Sequence, residues 1–221
     1  MLDDLSRYLG SESTRQLIVD QLVQHVELAL LPLVVGVALA IPLGWLAQRH
    51  PLLRTSLLGV ANVVYTVPSL AFFVVIPGVI GTQILAPVNV IAALSVYTAA
   101  LLVRPVVDAL DAVPGHVIAA ATAMGYRPLR RFLAVELPLA VPVLTAGVRV
   151  ASVSNISLAS VGALLGIGGL GALFTSGFQT SYLPPIIVGI VLVLALALVV
   201  DLVLVGLRRL LTPWARAGGA R

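Results

Sequence analysis

Five runs of apolar residues divide this chain, at 26–47, 56–76, 84–103, 137–161 and 184–207, with polar and charged positions gathered between them. Each run is about as long as the stretch of about 20 residues that carries an α-helix across a hydrocarbon core about 30 Å thick. The pattern predicts an all-α, polytopic membrane protein with about five transmembrane helices. Pro32, Pro42, Pro68 and Pro142 fall inside the runs. In a membrane bundle, neighbouring helices satisfy the carbonyls that proline frees, so each run is expected to continue through its prolines as one span.

Composition narrows the class. The chain is 60% hydrophobic and only 10% charged, whereas a soluble domain carries roughly 25% charged residues because its surface must be wetted. There is no cysteine and no lysine, and all 13 basic residues are arginines. Disulfides, thiolate catalysis, Schiff-base chemistry and a lysine-dependent phosphate loop are thereby excluded. The net charge of +4 raises the question of nucleic acid, but that partner requires basic residues clustered on a soluble face. Here the arginines stand at the ends of apolar runs, so no nucleic-acid partner is expected.

Arginine placement sets orientation, because basic connections stay on the cytoplasmic side. Arg49 and Arg54 lie between the first two runs, Arg104, Arg127, Arg130 and Arg131 between the third and fourth, and Arg208, Arg209, Arg216 and Arg221 after the fifth. The stretches 77–83 and 162–183 carry no charge, and the first 27 residues hold two arginines against five acids. Five spans with the N-terminus outside and the C-terminus inside satisfy every connection. The acidic stretch 1–20 lacks the basic start and short apolar core of a secretory signal and is expected to belong to the mature protein. The stretch 157–178 is moderately apolar, but Gly162, Gly166, Gly168, Gly169, Gly171 and Gly177 weaken it as a helix,. A sixth crossing would also put Arg208 and Arg209 on the wrong side, so an external, re-entrant turn with a short helix is expected there. The whole chain, 1–221, then reads as one transmembrane domain with an external segment (1–21), a cytoplasmic segment (104–138) and a cytoplasmic tail (208–221).

The cytoplasmic segment is long and patterned. Pro114 and Pro128 each suit the first turn of a short helix, and Gly125 suits the end of the first one. Val117, Ile118, Ala121 and Met124 recur at helical spacing, and 128–137 is basic on one side through Arg130 and Arg131. Two short helices at an elbow fit either a docking element for a cytoplasmic protein or an amphipathic pair lying on lipid.

The run Ile118-Ala-Ala-Ala-Thr-Ala-Met-Gly125, followed after nine residues by Val135-Glu-Leu-Pro138, resembles the E-A-A loop of permease subunits of bacterial ABC importers, E-A-A-x-x-x-G then I-x-L-P. Ala120, Ala121, Gly125, Leu137 and Pro138 match in type and spacing, and Val135 stands for the isoleucine. Asn62-Val-Val-Tyr-Thr-Val-Pro-Ser-Leu70, Arg104 and Leu165-Gly-Ile-Gly-Gly-Leu-Gly171 extend the likeness over about 61–214. They resemble the subgroup for glycine betaine, carnitine, choline and related quaternary-amine osmoprotectants. The resemblance implies a type I importer permease fold and a translocation path formed by a pair of permeases, this chain with a second copy or a homologue. It further implies two ATPase subunits that bind ATP and Mg, and a separate extracytoplasmic substrate-binding protein. This chain would bind no cofactor, and its ATPase-coupling residues would be Ala119, Ala120, Ala121, Gly125, Arg130, Arg131, Leu137 and Pro138. The glutamate of the motif is Ala119 here. Its loss removes one charge-assisted contact or cap worth roughly 1 kcal/mol, which would weaken coupling without abolishing it and leaves room for a second permease that keeps the glutamate.

Other signals are weaker. Gly166-Ile-Gly-Gly-Leu-Gly171 spells a dinucleotide fingerprint but lacks the strand, the following βαβ unit and the later acid which that chemistry needs. His25, His50 and His116 share no metal-ligand spacing, so no metal site is expected. Arg149 and Asp201 fall within the fourth and fifth runs, where charge is costly and points to function, while mutual pairing or snorkelling of the arginine to the inner surface explains them structurally. Ser152, Ser154, Asn155, Ser157 and Ser160 make the fourth run polar, and positions 154, 155, 157 and 160 share much of one face suited to line a path. The same small residues suit close helix packing. Tyr65 and Tyr97 offer aromatic faces to a cation. An ion-coupled secondary transporter or channel is the alternative. It requires intramembrane acids, for which Asp201 alone qualifies, and inverted repeats, which the chain does not display. An assembly scaffold without transport rests only on Ala119.

Overall fold

Prolines and glycines punctuate the chain into helices, and the computed structural model describes residues 2–214. A short α1 (Leu2–Gly10) leads into a 38-residue α2 (Glu12–Arg49). Then follow α3 (Pro51–Thr66), α4 (Ser69–Ile80), α5 (Pro87–Asp111), α6 (Gly115–Ala123) and α7 (Pro128–Arg131). A π-helical turn (Phe132–Glu136) joins α7 to α8 (Leu137–Ala159). A 3₁₀ turn (Ser160–Leu165), α9 (Gly171–Gln179) and α10 (Leu183–Leu211) complete the chain. Four helical rods are long and apolar enough to cross a membrane, and the bent pair α3–α4 makes a fifth candidate. Expected tail positions Arg216 and Arg221 lie outside the described residues.

The second run is not one helix. It breaks at Val67–Pro68 and turns through 107°. Proline disfavours the helical region for the residue before it, and Val67 is extended at φ −67°, ψ 131°. Pro32, Pro42 and Pro142 are accommodated inside α2 and α8. The third span starts at Pro87 rather than 84 and runs eight residues past 103, so Arg104, Asp108 and Asp111 sit on α5 instead of in a connecting segment. The second arm of the expected elbow is likewise not a separate helix. Pro128–Leu165 is a single 38-residue rod, about 57 Å long at 1.5 Å per residue, and it therefore projects beyond a core about 30 Å thick. Residues 2–21 of the polar stretch 1–21 are helical apart from Ser11, with α2 beginning fourteen residues before the expected start at 26. Of the stretch 157–178, residues 157–159 end α8, and the remainder forms a 3₁₀ turn, a glycine-rich turn and most of the short helix α9.

The bundle is organised around α2 and α5. Gly36, Ala40 and Gly44 recur every fourth residue on α2 and are buried. A Cβ at Gly36 would overlap Thr98, and one at Gly44 would overlap Val106, both on α5. Small residues at this spacing let two backbones approach closely, which is how helices associate where lipid competes with apolar side chains. One buried cluster, with Leu102, Val106, Leu110, Phe132 and Leu144, fills the arginine-rich end. A second, with Leu28, Phe73, Leu94, Ile156 and Ile167, fills the opposite end. Helix α10 is scarcely covered, with 6% of its most apolar window buried, and presents Val191, Leu194, Leu198 and Leu202 outward.

Orientation is testable because the chain has no cysteine. Met124 (70% exposed) and Phe178 (82% exposed) lie beyond opposite ends of the Pro128–Leu165 rod. In right-side-out vesicles an impermeant maleimide is expected to label Phe178→Cys and to reach Met124→Cys only after permeabilisation, as the arginine bias requires. The reverse pattern would invert the topology.

Candidate functional site

The corner between α5 and α8 is built by backbone geometry. Pro114 caps α6 in an extended conformation (φ −61°, ψ 132°). At the other end Gly125 is left-handed at φ +82°. Its N–H bonds to the Thr122 carbonyl at 3.0 Å, and the Tyr126 N–H bonds to the Ala121 carbonyl at 3.2 Å. These paired bonds are the Schellman closure, which requires a left-handed residue and favours glycine there. Pro128 then starts α7 at its first turn.

Side chains on α6 divide by face. Ala121 is buried and Ile118 packs against the core of the arginine-rich end. Ala119, Ala120 and Met124 are exposed. Of the expected apolar stripe, Ile118 and Ala121 thus turn inward while Met124 stays out, and Val117 is intermediate. Arg130 is exposed and lies over the Tyr126 ring, 5.0 Å from its centroid. The outer face is a small-residue helix bordered by a cation, a shape suited to a groove on another protein.

Arg131 does not belong to that face. Its Nε donates to Glu136 at 2.6 Å and its Nη1 to the Thr122 hydroxyl at 2.6 Å. Glu136 is buried, and Arg49 at the end of α2 stands 3.8 Å from the same carboxylate oxygen. Arg49 also lies over the Trp45 ring, which packs against Phe132. Arg54 pairs with Asp111 at 2.9 Å. Leu137 and Pro138 are half-buried in the first turn of α8, where Leu137 packs against the core. The reading from sequence missed Glu136 because a carboxylate in a short basic helix gave no sign that a π-helical turn would bury it among arginines.

The glycine-rich turn lies at the other end of the rod. Gly166, Gly168 and Gly169 all have positive φ. Gln24 donates to the Ile167 carbonyl at 2.6 Å and accepts from the Gly169 N–H at 3.0 Å. Buried His25 faces the Ile156 carbonyl through Nε2 at 3.0 Å and accepts from the Leu170 N–H through Nδ1 at 3.2 Å. Accepting at Nδ1 assigns the ring proton to Nε2, so the imidazole is neutral. A Cβ at Gly168 would run into the Gln24 side chain. The turn is therefore a tightly held structure pinned to α2. Gln24 and His25 carried no recognisable signal, since their partners are backbone groups about 140 positions away.

The expected path residues do not share one face. Asn155 is buried between helices: it accepts from Thr98 at 2.9 Å and donates to the Ala29 carbonyl at 3.2 Å. It ties α8 to α5 and α2. Ser154 is half-buried and Ser157 exposed, one turn apart on a different face. Ser154 lines an open cleft of about 400 Å³ with Val150, Val153, Arg149 and Asp201. Arg149 and Asp201 pair as expected, two-pronged, at 2.5 and 2.8 Å. Tyr97 is buried and its ring meets those of Tyr65 at 5.8 Å and Phe72 at 5.2 Å, edge to face. Both tyrosine rings thus touch other rings, and the Tyr97 hydroxyl has no hydrogen-bond partner among the described residues. Tyr65 is 45% exposed.

Comparison with known proteins bears on the family and the fold. The family model described as "Binding-protein-dependent transport system inner membrane component" matches residues 36–213. The chain is 35% identical to the Osmoprotectant import permease protein OsmW of Salmonella typhimurium over 193 residues, 86% of this chain and 89% of the relative. It is 33% identical to the Choline transport system permease protein OpuBB of Bacillus subtilis, over 86% of each. Among solved structures, a chain from the inward-facing MetNI methionine ABC transporter superposes with a TM-score of 0.81 at 22% identity, covering 91% of this chain and 99% of that one. At that identity the likeness concerns the fold, which is the type I ABC importer permease fold anticipated above.

Proposed function

Since this chain belongs to the binding-protein-dependent transport system inner membrane component family, we propose that it is the permease of an ATP-driven importer for quaternary-amine osmoprotectants. It sits in the cytoplasmic membrane as a multi-pass protein. The observation that supports coupling to a motor is the corner at Gly125, where a closed helix end presents Ala119, Ala120 and Met124 to a partner. The substrate class rests on the printed functions of relatives at 33–35% identity over most of the chain.

The working unit would pair this chain, whose exposed α10 face meets membrane lipid, with a second copy or a homologous permease, two ATPase subunits and an extracytoplasmic binding protein. ATP and Mg reside in the ATPase subunits. Their closure displaces α6 and α7, and the displacement enters the rod that begins at Pro128. Rigid-body rocking between two packings then exposes the path alternately to each side. Selection of the solute falls mainly to the binding protein, since the polar groups of the spans are largely engaged with one another. Ala119 in place of glutamate leaves the corner with backbone shape and arginine as its means of attachment. The ion-coupled alternative was left with Asp201 as its intramembrane acid, and Asp201 is held in both prongs by Arg149.

In proteoliposomes, the chain with its ATPase and a choline-loaded binding protein is expected to give ATP-dependent choline uptake, and the chain alone no ATP hydrolysis. Uptake that follows an ion gradient and persists without ATP would overturn the proposal.

A further inference from the structure

A buried carboxylate standing between two arginines from different elements is costly unless its geometry does something. Glu136 is 2% exposed. It borders a cleft of about 270 Å³ with Gln48 and Arg49 from α2, Asp111 from α5, Ile118 from α6 and Arg131 from α7. Four helices meet there, directly behind the exposed corner.

Its two arginines are engaged unequally. Arg131 Nε donates at 2.6 Å, and the same guanidinium reaches α6 through the Thr122 hydroxyl, which in turn donates to the Ile118 carbonyl at 2.8 Å. Arg49 stands at 3.8 Å, beyond hydrogen-bond range. Its Nε is buried with no hydrogen-bond partner among the described residues, while the guanidinium stays over Trp45. A continuous polar chain thus runs from α6 through Thr122, Arg131 and Glu136, and ends one short step from α2. Helix α2 holds the glycine-rich turn through Gln24 and His25 at its far end.

We infer that Glu136 is a positioning residue for coupling, the carboxylate that ties movement of the corner to helix α2 and, through α2, to the glycine-rich turn. The inference rests on the importer reading. Displacement of α6 pulls on Arg131, and the carboxylate shifts toward Arg49, whose Nη2 stands 3.8 Å away. The corner and the start of α2 then move together rather than independently.

The test uses the complete importer in proteoliposomes, with choline as solute, reading basal hydrolysis, hydrolysis stimulated by the loaded binding protein, and choline moved per ATP. Wild type without ATP-dependent uptake would overturn the importer reading itself. Given a working wild type, Glu136→Gln is expected to leave basal hydrolysis in place and to lower stimulation about tenfold, because it removes the charge from a charge-assisted hydrogen bond. Glu136→Asp should recover much of the loss. Thr122→Val, at an exposed position, cuts only the link to α6 and should lower stimulation and choline per ATP without affecting assembly. Wild-type coupling in both Glu136→Gln and Thr122→Val would overturn the inference. So would a loss in Glu136→Gln that merely tracks lost assembly while Thr122→Val couples normally.

Discussion

Leucine in place of Gly36 is expected to leave almost no folded chain in the membrane. A single Cβ at this position already overlaps the Thr98 side chain and comes within 3.1 Å of the Ala99 backbone nitrogen. The neighbour is not a flexible side-chain tip, so relief requires α2 and α5 to separate along their contact. Overpacking a core costs about 1–3 kcal/mol where side chains can adjust, and a forced helix separation exceeds that range. It would also break the Thr98–Asn155–Ala29 bridge, which depends on the same approach. Gly59 on α3 is the control: a Cβ there meets nothing within 4 Å, and Gly59→Leu should accumulate like wild type. The measurement is the yield of monodisperse protein after mild detergent extraction. Equal yields for the two leucine variants would show that the α2–α5 contact is looser than described here.

Valine at position 125 is expected to spare the fold and disable coupling. No atom lies within 4 Å of a Cβ at Gly125, so the cost is conformational alone. At φ +82° an ordinary L-residue pays roughly 1–2 kcal/mol, and a β-branched one more. The chain escapes by leaving the left-handed region, which opens the Schellman closure and swings the end of α6 away from α7. Because 1.36 kcal/mol is a factor of ten in rate, solute uptake driven by the loaded binding protein should fall about tenfold or further, with the purified chain still monodisperse. Gly125→Asn should recover part of the activity, since asparagine visits the left-handed region more readily. Uptake at the wild-type rate in the valine variant would remove the corner from the coupling route.

Several features behind these two results were readable in the residues. Gly125 with its flanking prolines announced a bend between helices, and the bend is there. Opposite charges at Arg149 and Asp201, costly inside two apolar runs, suggested a pair, and they pair. The stripe Gly36, Ala40, Gly44 was equally legible as a close-packing signal but was overlooked amid continuous apolar residues. Pro68 looked like Pro32, Pro42 and Pro142, yet it alone broke its run. Helix α4 itself carries Pro77 without a break, so a proline alone does not decide where a run bends.

Twenty-residue apolar runs and arginine placement settle, with no further information, that the chain is a helical membrane protein, because water and hydrocarbon discriminate between residues one at a time. The local geometry at Gly125 belongs in the same class, since a left-handed turn is a property of a few adjacent dihedrals. By contrast, the burial of Glu136 between Arg131 and Arg49, the pinning of the glycine-rich turn by Gln24 and His25, and the inward rotation of Asn155 arise only when distant helices meet. A polar side chain commits to a partner by distance and direction. For these residues, both are set by the way α2, α5 and α8 pack.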